Sequence, residues 1–180
     1  MPVSISASVP ANTEDRSLGA QRIREANEAI LVAHTSAGLH NNGLDTSSTW
    51  TPAITFETPG NLSVTYSARG GSYVKIGDMV FASFSFVTAT FTHTTASGAL
   101  QITGFPFTSL DAGPWMGPIR WQGITKANYT DMVLRMGSAV AYANLFACGS
   151  GQTDSAVSAS DMPTGGNVTF VGTLIYRAAP

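Results

Sequence analysis

Charge is what this sequence has least of. Only 11% of its 180 residues are Asp, Glu, Lys or Arg, less than half the usual share of about 25%. Small neutral residues fill the polar positions instead, chiefly Ser, Thr and Gly. Such a surface suits lasting contact with other protein copies, because every charge buried at an interface needs a partner. It also suits β-structure, since the β-branched Thr sits well on a pleated sheet.

Basic residues are scarce too, and the formal net charge is −2. Without a basic stripe, a nucleic-acid partner is not expected. One cysteine, Cys148, excludes an internal disulfide and a cysteine-based zinc site. It is expected to act as a small buried hydrophobe. No segment approaches the roughly 20 apolar residues that span a bilayer, so membrane insertion is not expected. The opening Met1-Pro2-Val3-Ser4-Ile5-Ser6 has neither the basic region nor the apolar run of a secretory signal. Synthesis and assembly in a cytoplasm follow as the expectation.

Chemistry is equally thin. The carboxylates of the C-terminal region, Glu57, Asp78, Asp111, Asp131, Asp154 and Asp161, mostly adjoin turn residues. They fit turn formation better than a hydrolytic pair across a cleft. No Gly-x-Ser-x-Gly elbow occurs. His34 and His40 flank a polar stretch, and three copies of either on a threefold axis are a possible ion site. Even so, no metal, cofactor or catalytic residue is assigned. Three Asn-x-Ser/Thr matches, beginning at Asn61, Asn128 and Asn167, are expected by chance in a chain this rich in Ser and Thr.

What is present falls into two parts, 1–49 and 50–180. In the first, Val3, Ile5 and Val9 alternate with serines, the period of an extended arm with one apolar side. An arm with no neighbouring partner strand is either disordered or paired with another chain. Residues 17–33 have helix-forming composition, with Asp15 or Ser17 as cap. Ile23, Ala26, Ile30 and Ala33 make one stripe, and Arg24 and Glu28 are spaced to pair. A helix this short is marginal alone, so its stripe must dock. Docking on its own domain and self-association of three copies both satisfy that need. Residues 34–49 have the composition of a linker.

From residue 50 the pattern is short strands and glycine turns. Leu62, Val64 and Tyr66 alternate with serine and threonine, Gly70-Gly71 is expected to turn, and Gly77-Asp78 to turn again. The longest strand runs from Met79 to about His93, with Val80, Ala82, Phe84 and Phe86 on one face. Gly104-Phe105-Pro106-Phe107 stops the next strand, since Pro106 has no backbone donor. Further strands are expected at 119–124, 132–136, 140–146 and 168–176. The fold class is mainly β: an antiparallel, jelly-roll-like β-sandwich preceded by an extended arm and one short α-helix.

Recognition chemistry concentrates in 111–131. Trp115, Trp121, Tyr129 and Asp131 have the composition of a glycan site, in which aromatic faces stack on sugar rings and carboxylates bind hydroxyls. The two tryptophans serve equally as core or interface anchors, and that reading is preferred.

Two stretches resemble virion proteins of tailed phages. Glu14-Asp15-Arg16-Ser17-Leu18-Gly19-Ala20-Gln21-Arg22-Ile23-Arg24-Glu25 is similar to an N-terminal helical segment of tail-fibre proteins. Trp50-Thr51-Pro52, Val64-Thr65-Tyr66-Ser67, residues 71–81 and Ile102-Thr103-Gly104-Phe105-Pro106-Phe107 resemble a β-module of phage fibres and head decorations. No long repetitive shaft is present, which favours a short fibre, tip or head projection. The resemblance implies a virion location and a homotrimer with the helix near its axis. Ile23, Ala26 and Ile30 are then the trimer-interface candidates, and Val3, Ile5 and Val9 the candidates for attachment to other virion proteins. A non-enzymatic structural role leads. A receptor-binding tip that grips a host-surface glycan is the alternative, and a small glycan-degrading enzyme ranks third.

Overall fold

The computed structural model describes residues 19–28, 45–110 and 115–180. The arm candidates Val3, Ile5 and Val9, the later helix positions from Ile30 onward, His34, His40 and Asp111 lie outside these residues. The chain divides into two units, Met1–Gly43 and Leu44–Pro180.

In the first unit, residues 19–28 form a helix (α1). Gln21 Nε2 donates to Glu25 Oε1 at 2.9 Å, one turn on. Arg24, expected to pair with Glu28, turns back, its Nε donating to Ala20 O at 3.4 Å. Ile23 is 63% exposed and Ala26 is exposed.

Among the described residues, the regular structure of the second unit is all strands apart from one 3₁₀ turn. In chain order they are β1 (Asp45–Trp50), β2 (Ala53–Thr58), β3 (Ser63–Ile76), β4 (Met79–Thr92), β5 (Ser97–Thr103), β6 (Trp115–Gln122), β7 (Asp131–Met136), β8 (Tyr142–Cys148), β9 (Ser155–Ala156) and β10 (Thr169–Arg177). The 3₁₀ turn covers Ala159–Asp161. The strands hydrogen-bond in the order β1-β3-β4-β10-β6-β7-β8-β5-β2, with β9 beside β8. Every pairing is antiparallel.

β6 is the corner of this sheet. Its residues Trp115–Pro118 pair with β7, and Ile119–Gln122 pair with β10. Pro118 sits where the partner changes. The first and last strands of the order, β1 and β2, are joined by only Thr51-Pro52. The sheet therefore curls back on itself and encloses one core. Its two halves supply that core by simple alternation. Val80, Ala82, Phe84 and Phe86 of β4 face Leu134 and Met136 of β7 and Leu145 of β8 across a single cluster that also takes in Phe170, Leu174 and Tyr176 of β10. A mainly β, antiparallel, sandwich-like fold preceded by a helix is thus what these residues make.

Two local expectations need correction. The linker does not extend to residue 49, because Asp45 opens β1 and pairs with Ile76. Nor is Gly70-Gly71 a turn: both glycines lie inside β3, opposite Ser85 and Phe84. Trp50 supplies the reason. A Cβ on Gly71 would stand 2.5 Å from Trp50 Nε1, so the missing side chain is the seat of the indole. The true turn is Gly77-Asp78, a two-residue hairpin loop between Ile76 and Met79, with Gly77 at φ +56°.

β3 also carries a bulge, with register shifts on either side of Tyr66. Before it, Val64 and Tyr66 face the core. After it, Gly71, Tyr73 and Lys75 do, and Val74 and Ile76 face outward. An extra residue in one strand reverses which phase of the alternation is buried. That reversal places two aliphatic side chains on the outside.

Candidate assembly surface

The outer face of β3, β4 and β10 is the most distinctive surface of the described residues. Five of the seven large hydrophobic side chains exposed there belong to it: Val74, Ile76, Phe81, Val171 and Ile175. Strand register makes this an ordered arrangement. Val74 lies opposite Phe81, and Phe81 opposite Ile175, so the three form a continuous row across three strands. Directly opposite residues of neighbouring strands carry Cβ atoms about 5 Å apart, so the row is a ridge.

Beside the ridge runs a second row, Ser72–Ser83–Thr173, and beyond it Gly70–Ser85–Val171. Their small side chains leave a shallow trough of about 390 Å3, floored in part by Gly71 and Gly172. Of the four hydroxyls that line it, those of Ser72 and Ser83 are partnered, and those of Ser85 and Thr173 make no bond among the described residues. Ser72 Oγ and Ser83 Oγ lie 3.0 Å apart. Beneath them Trp50 Nε1 donates to Ser83 O at 3.1 Å and Ser72 O at 3.3 Å. Charge is confined to the margins: Arg177 pairs with Asp78 at 3.0 Å by the hairpin, and Arg120 stands opposite Val171 on β6.

The other half of the sheet presents a different exterior. There Thr55, Gln101, Asn144 and Arg135 align across β2, β5, β8 and β7, ending at Met116 on β6. Arg135 lies 5.0 Å from the Phe146 ring and 3.8 Å from Asp154. This exterior is polar apart from Met116, and Asn144 Oδ1 is buried in it without a hydrogen-bond partner among the described residues.

The residues proposed for glycan recognition do not form one platform. Trp115 and Trp121 share the core-facing row of β6 with Gly117 and Ile119, and both pack against the core. Six residues of strand separate them by roughly 20 Å. Trp115 Nε1 is buried and has no hydrogen-bond partner among the described residues. The Tyr129 hydroxyl donates to Thr153 O at 3.0 Å, and Lys126 Nζ lies 5.7 Å from its ring centre. Asp131 is exposed, and its Oδ1 accepts the Met132 N–H at 2.8 Å. Both tryptophans are thus packed against the core and not gathered on one exposed face.

The carboxylates are dispersed. Asp78 and Asp154 pair with Arg177 and Arg135, and Glu57 Oε2 accepts the Ala99 N–H at 3.4 Å. Asp161 meets Lys126 Nζ at 2.7 Å in the one largely buried ion pair among the described residues. Burial pushes the Asp161 carboxyl up. Hydrogen bonds from Lys126 and from the Ser158 backbone and hydroxyl, with the Lys126 charge, outweigh that and hold it below its ordinary 3.8. Tyr176 is the other perturbed group. Burial pushes its hydroxyl up to about 12, while the bond it accepts from the Phe107 N–H acts the other way. Among the described residues no cluster of three His, Cys, Asp or Glu is placed to hold a metal ion. None of their helices is long and apolar enough to cross a membrane.

Sequence reading passed over the ridge, although a signal was there. In β4 and β10 both phases of the alternation carry large apolar residues: Phe81 opposes the inward Val80 and Ala82, and Val171 and Ile175 oppose Phe170 and Leu174. A strand apolar on both phases calls for cover on both faces.

No family model matches the chain, and no curated protein does. Among solved structures, the crystal structure of Dettilon tailspike protein (gp208) is similar, with a TM-score of 0.55 and 15% sequence identity. The match covers 72% of this chain and 23% of the tailspike chain, so this chain spans less than a quarter of that protein's length. At this identity the likeness is one of fold.

Proposed function

We propose that this chain is a structural protein of a tailed-phage particle: a trimeric short fibre or surface projection that works by association rather than by turnover. The observation that carries the reading is the outer face of β3, β4 and β10. It is apolar along Val74–Phe81–Ile175 and neutral across the Ser72–Ser83–Thr173 row beside it, with Arg177, Asp78 and Arg120 at its margins. Contiguous apolar patches on a soluble chain mark interaction surfaces. Interfaces place their charges at the rim and exclude them from the centre.

Two further features support it. The segment around Ser17-Leu18-Gly19 resembles the N-terminal helices of phage fibre proteins, and the β-fold is like that of a tailspike. In this reading the β-unit projects outward. Helix α1 contributes Ile23 and Ala26 to the threefold contact, with Ile30 continuing the stripe. The arm bearing Val3, Ile5 and Val9 attaches the assembly to other virion proteins. Glycan gripping through Trp115 and Trp121 gains no support from their inward-facing placement.

Immunogold labelling of intact particles of the encoding phage tests the proposal. Label at a reproducible position on the particle is expected. Particles that carry no label, from lysates in which the free protein is abundant, would refute it.

A further inference from the structure

We infer that copies of this chain mate through the outer face of β3, β4 and β10, the Val74–Phe81–Ile175 ridge of one copy seated in the Ser72–Ser83–Thr173 trough of the next. This deepens the proposal of a self-associating virion protein and rests on it.

Three observations select a second copy as the occupant. The first is chemical. The trough hydroxyls of Ser72 and Ser83 already bond one another, and the carbonyls below them already accept from Trp50. Over the Ser72–Ser83 pair a sugar or a polar peptide finds little left to bond, whereas an apolar side chain leaves that pair intact. The ridge is the matching apolar element, and every copy carries it.

The second observation is size. Nine residues of β4 and β10 across the four strands β1, β3, β4 and β10 make a face of about 30 Å by 19 Å, roughly 600 Å2 in projection. Accessible area exceeds projected area on a ridged face. The whole face, ridge side and trough side together, therefore approaches the ~800 Å2 that one partner gives to a standard specific interface, and each neighbour in a ring takes about half of it.

The third is charge. The centre of the face holds none, and the Arg177–Asp78 pair at its margin is already neutralised within the copy. Arg120, at the β6 margin, lies outside the ridge and the Ser72–Ser83–Thr173 row, so their mating brings no like charges together at the centre. A ridge-into-trough contact can be head-to-tail, and head-to-tail contacts of suitable rotation close into rings. Three copies then complete one.

Disulfide trapping tests the contact in the full chain, with Cys148→Ser as background. One batch carries Phe81→Cys and another Ser83→Cys, and the two are mixed and oxidised. Cross-links between unlike chains are expected to dominate, with few between like chains. Cross-links only between Phe81→Cys chains would place ridge against ridge and overturn the inference, as would none at all. Light scattering on the unmodified chain separates this failure from failure of the underlying reading. A trimer without the cross-link sinks only the contact, while a monomer sinks the reading beneath it. As a second check, Phe81→Glu, whose outward position leaves the core intact, should shift the chain to the single-copy mass with an unchanged circular dichroism spectrum. Retention of the trimer by that variant would also overturn the inference.

Discussion

Trp50 and Gly71 are a matched pair: the indole occupies the space a side chain on Gly71 would need, with Nε1 2.5 Å from the position of the absent Cβ. The same indole donates to Ser72 O and Ser83 O and stacks at 4.7 Å on Phe105. It thereby fastens β1 to β3 and β4 where the chain leaves for β2. Glycine within a strand ordinarily costs about 0.5–1 kcal/mol relative to alanine. Here the sign should reverse. Gly71→Ala is expected to destabilise by about 1–3 kcal/mol through overpacking, read as a lowered urea midpoint with unchanged slope. A stabilised variant would show that the indole can move aside freely.

Asp161 holds the segment after β9 against Lys126, which also donates to Ala156 O at 3.1 Å. Asp161→Ala should cost about 2 kcal/mol at pH 7, the scale of a charge-assisted hydrogen bond. The folded-state carboxyl titrates below 3.8, so its contribution is present above that pH and is lost as the pH falls through the folded value. The gap between wild type and variant should therefore close in strongly acidic solution. Denaturant titrations at pH 7 and at pH 3 and below measure it. A gap that does not depend on pH would contradict the assignment.

Tyr176 gives the opposite dependence. Its hydroxyl accepts from Phe107 N at 3.3 Å and donates to Phe107 O at 3.1 Å inside the core. With the folded value near 12 and the ordinary value 10.0, the unfolded chain loses this proton first. Stability linked to Tyr176 is present below pH 10 and falls as the pH rises toward 12. Tyr176→Phe should lose about 1 kcal/mol at neutral pH but escape the alkaline decline. The two melting curves should then converge above pH 10. Parallel decline of both proteins would refute the coupling.

How much of this was legible in the sequence depended on whether a pattern is local. β4 was readable from Met79 to Thr88, where its alternation is unbroken; beyond that Ala89 and Thr90 are both exposed and the buried phase shifts to Phe91. β6, β7, β8 and β10 were placed to within a few residues, and the stop at Gly104 was visible because Pro106 cannot extend a ladder. Gly70-Gly71 was misread because a glycine pair has the same composition in a turn and under an indole. Only the return of Trp50, some 20 residues earlier in the chain, distinguishes the two. β1 was missed because Asp45–Thr49 is polar throughout, and its strand form comes from pairing with β3. The exposed apolar face was hidden by the bulge at Tyr66. Without that extra residue, Val74 and Ile76 would be expected in the core with Val64 and Tyr66. Trp115 and Trp121 drew notice by composition alone. Which side of β6 they occupy follows from Ile119, buried between them in the same phase.

The ridge makes its own stability prediction. Replacing Ile175, exposed at the end of the row, with Thr should leave the melting temperature of the dilute chain within about 2 °C, since surface changes usually stay within ±0.5 kcal/mol. The same substitution should weaken association at micromolar concentration, as measured by sedimentation. A large loss of stability at every concentration would place Ile175 in the core's service instead.

The most direct test of self-association is the mass of the full chain in solution. Multi-angle light scattering at micromolar concentration should return three times the 18.8 kDa of one copy. A steady value of 18.8 kDa across that range would contradict the account.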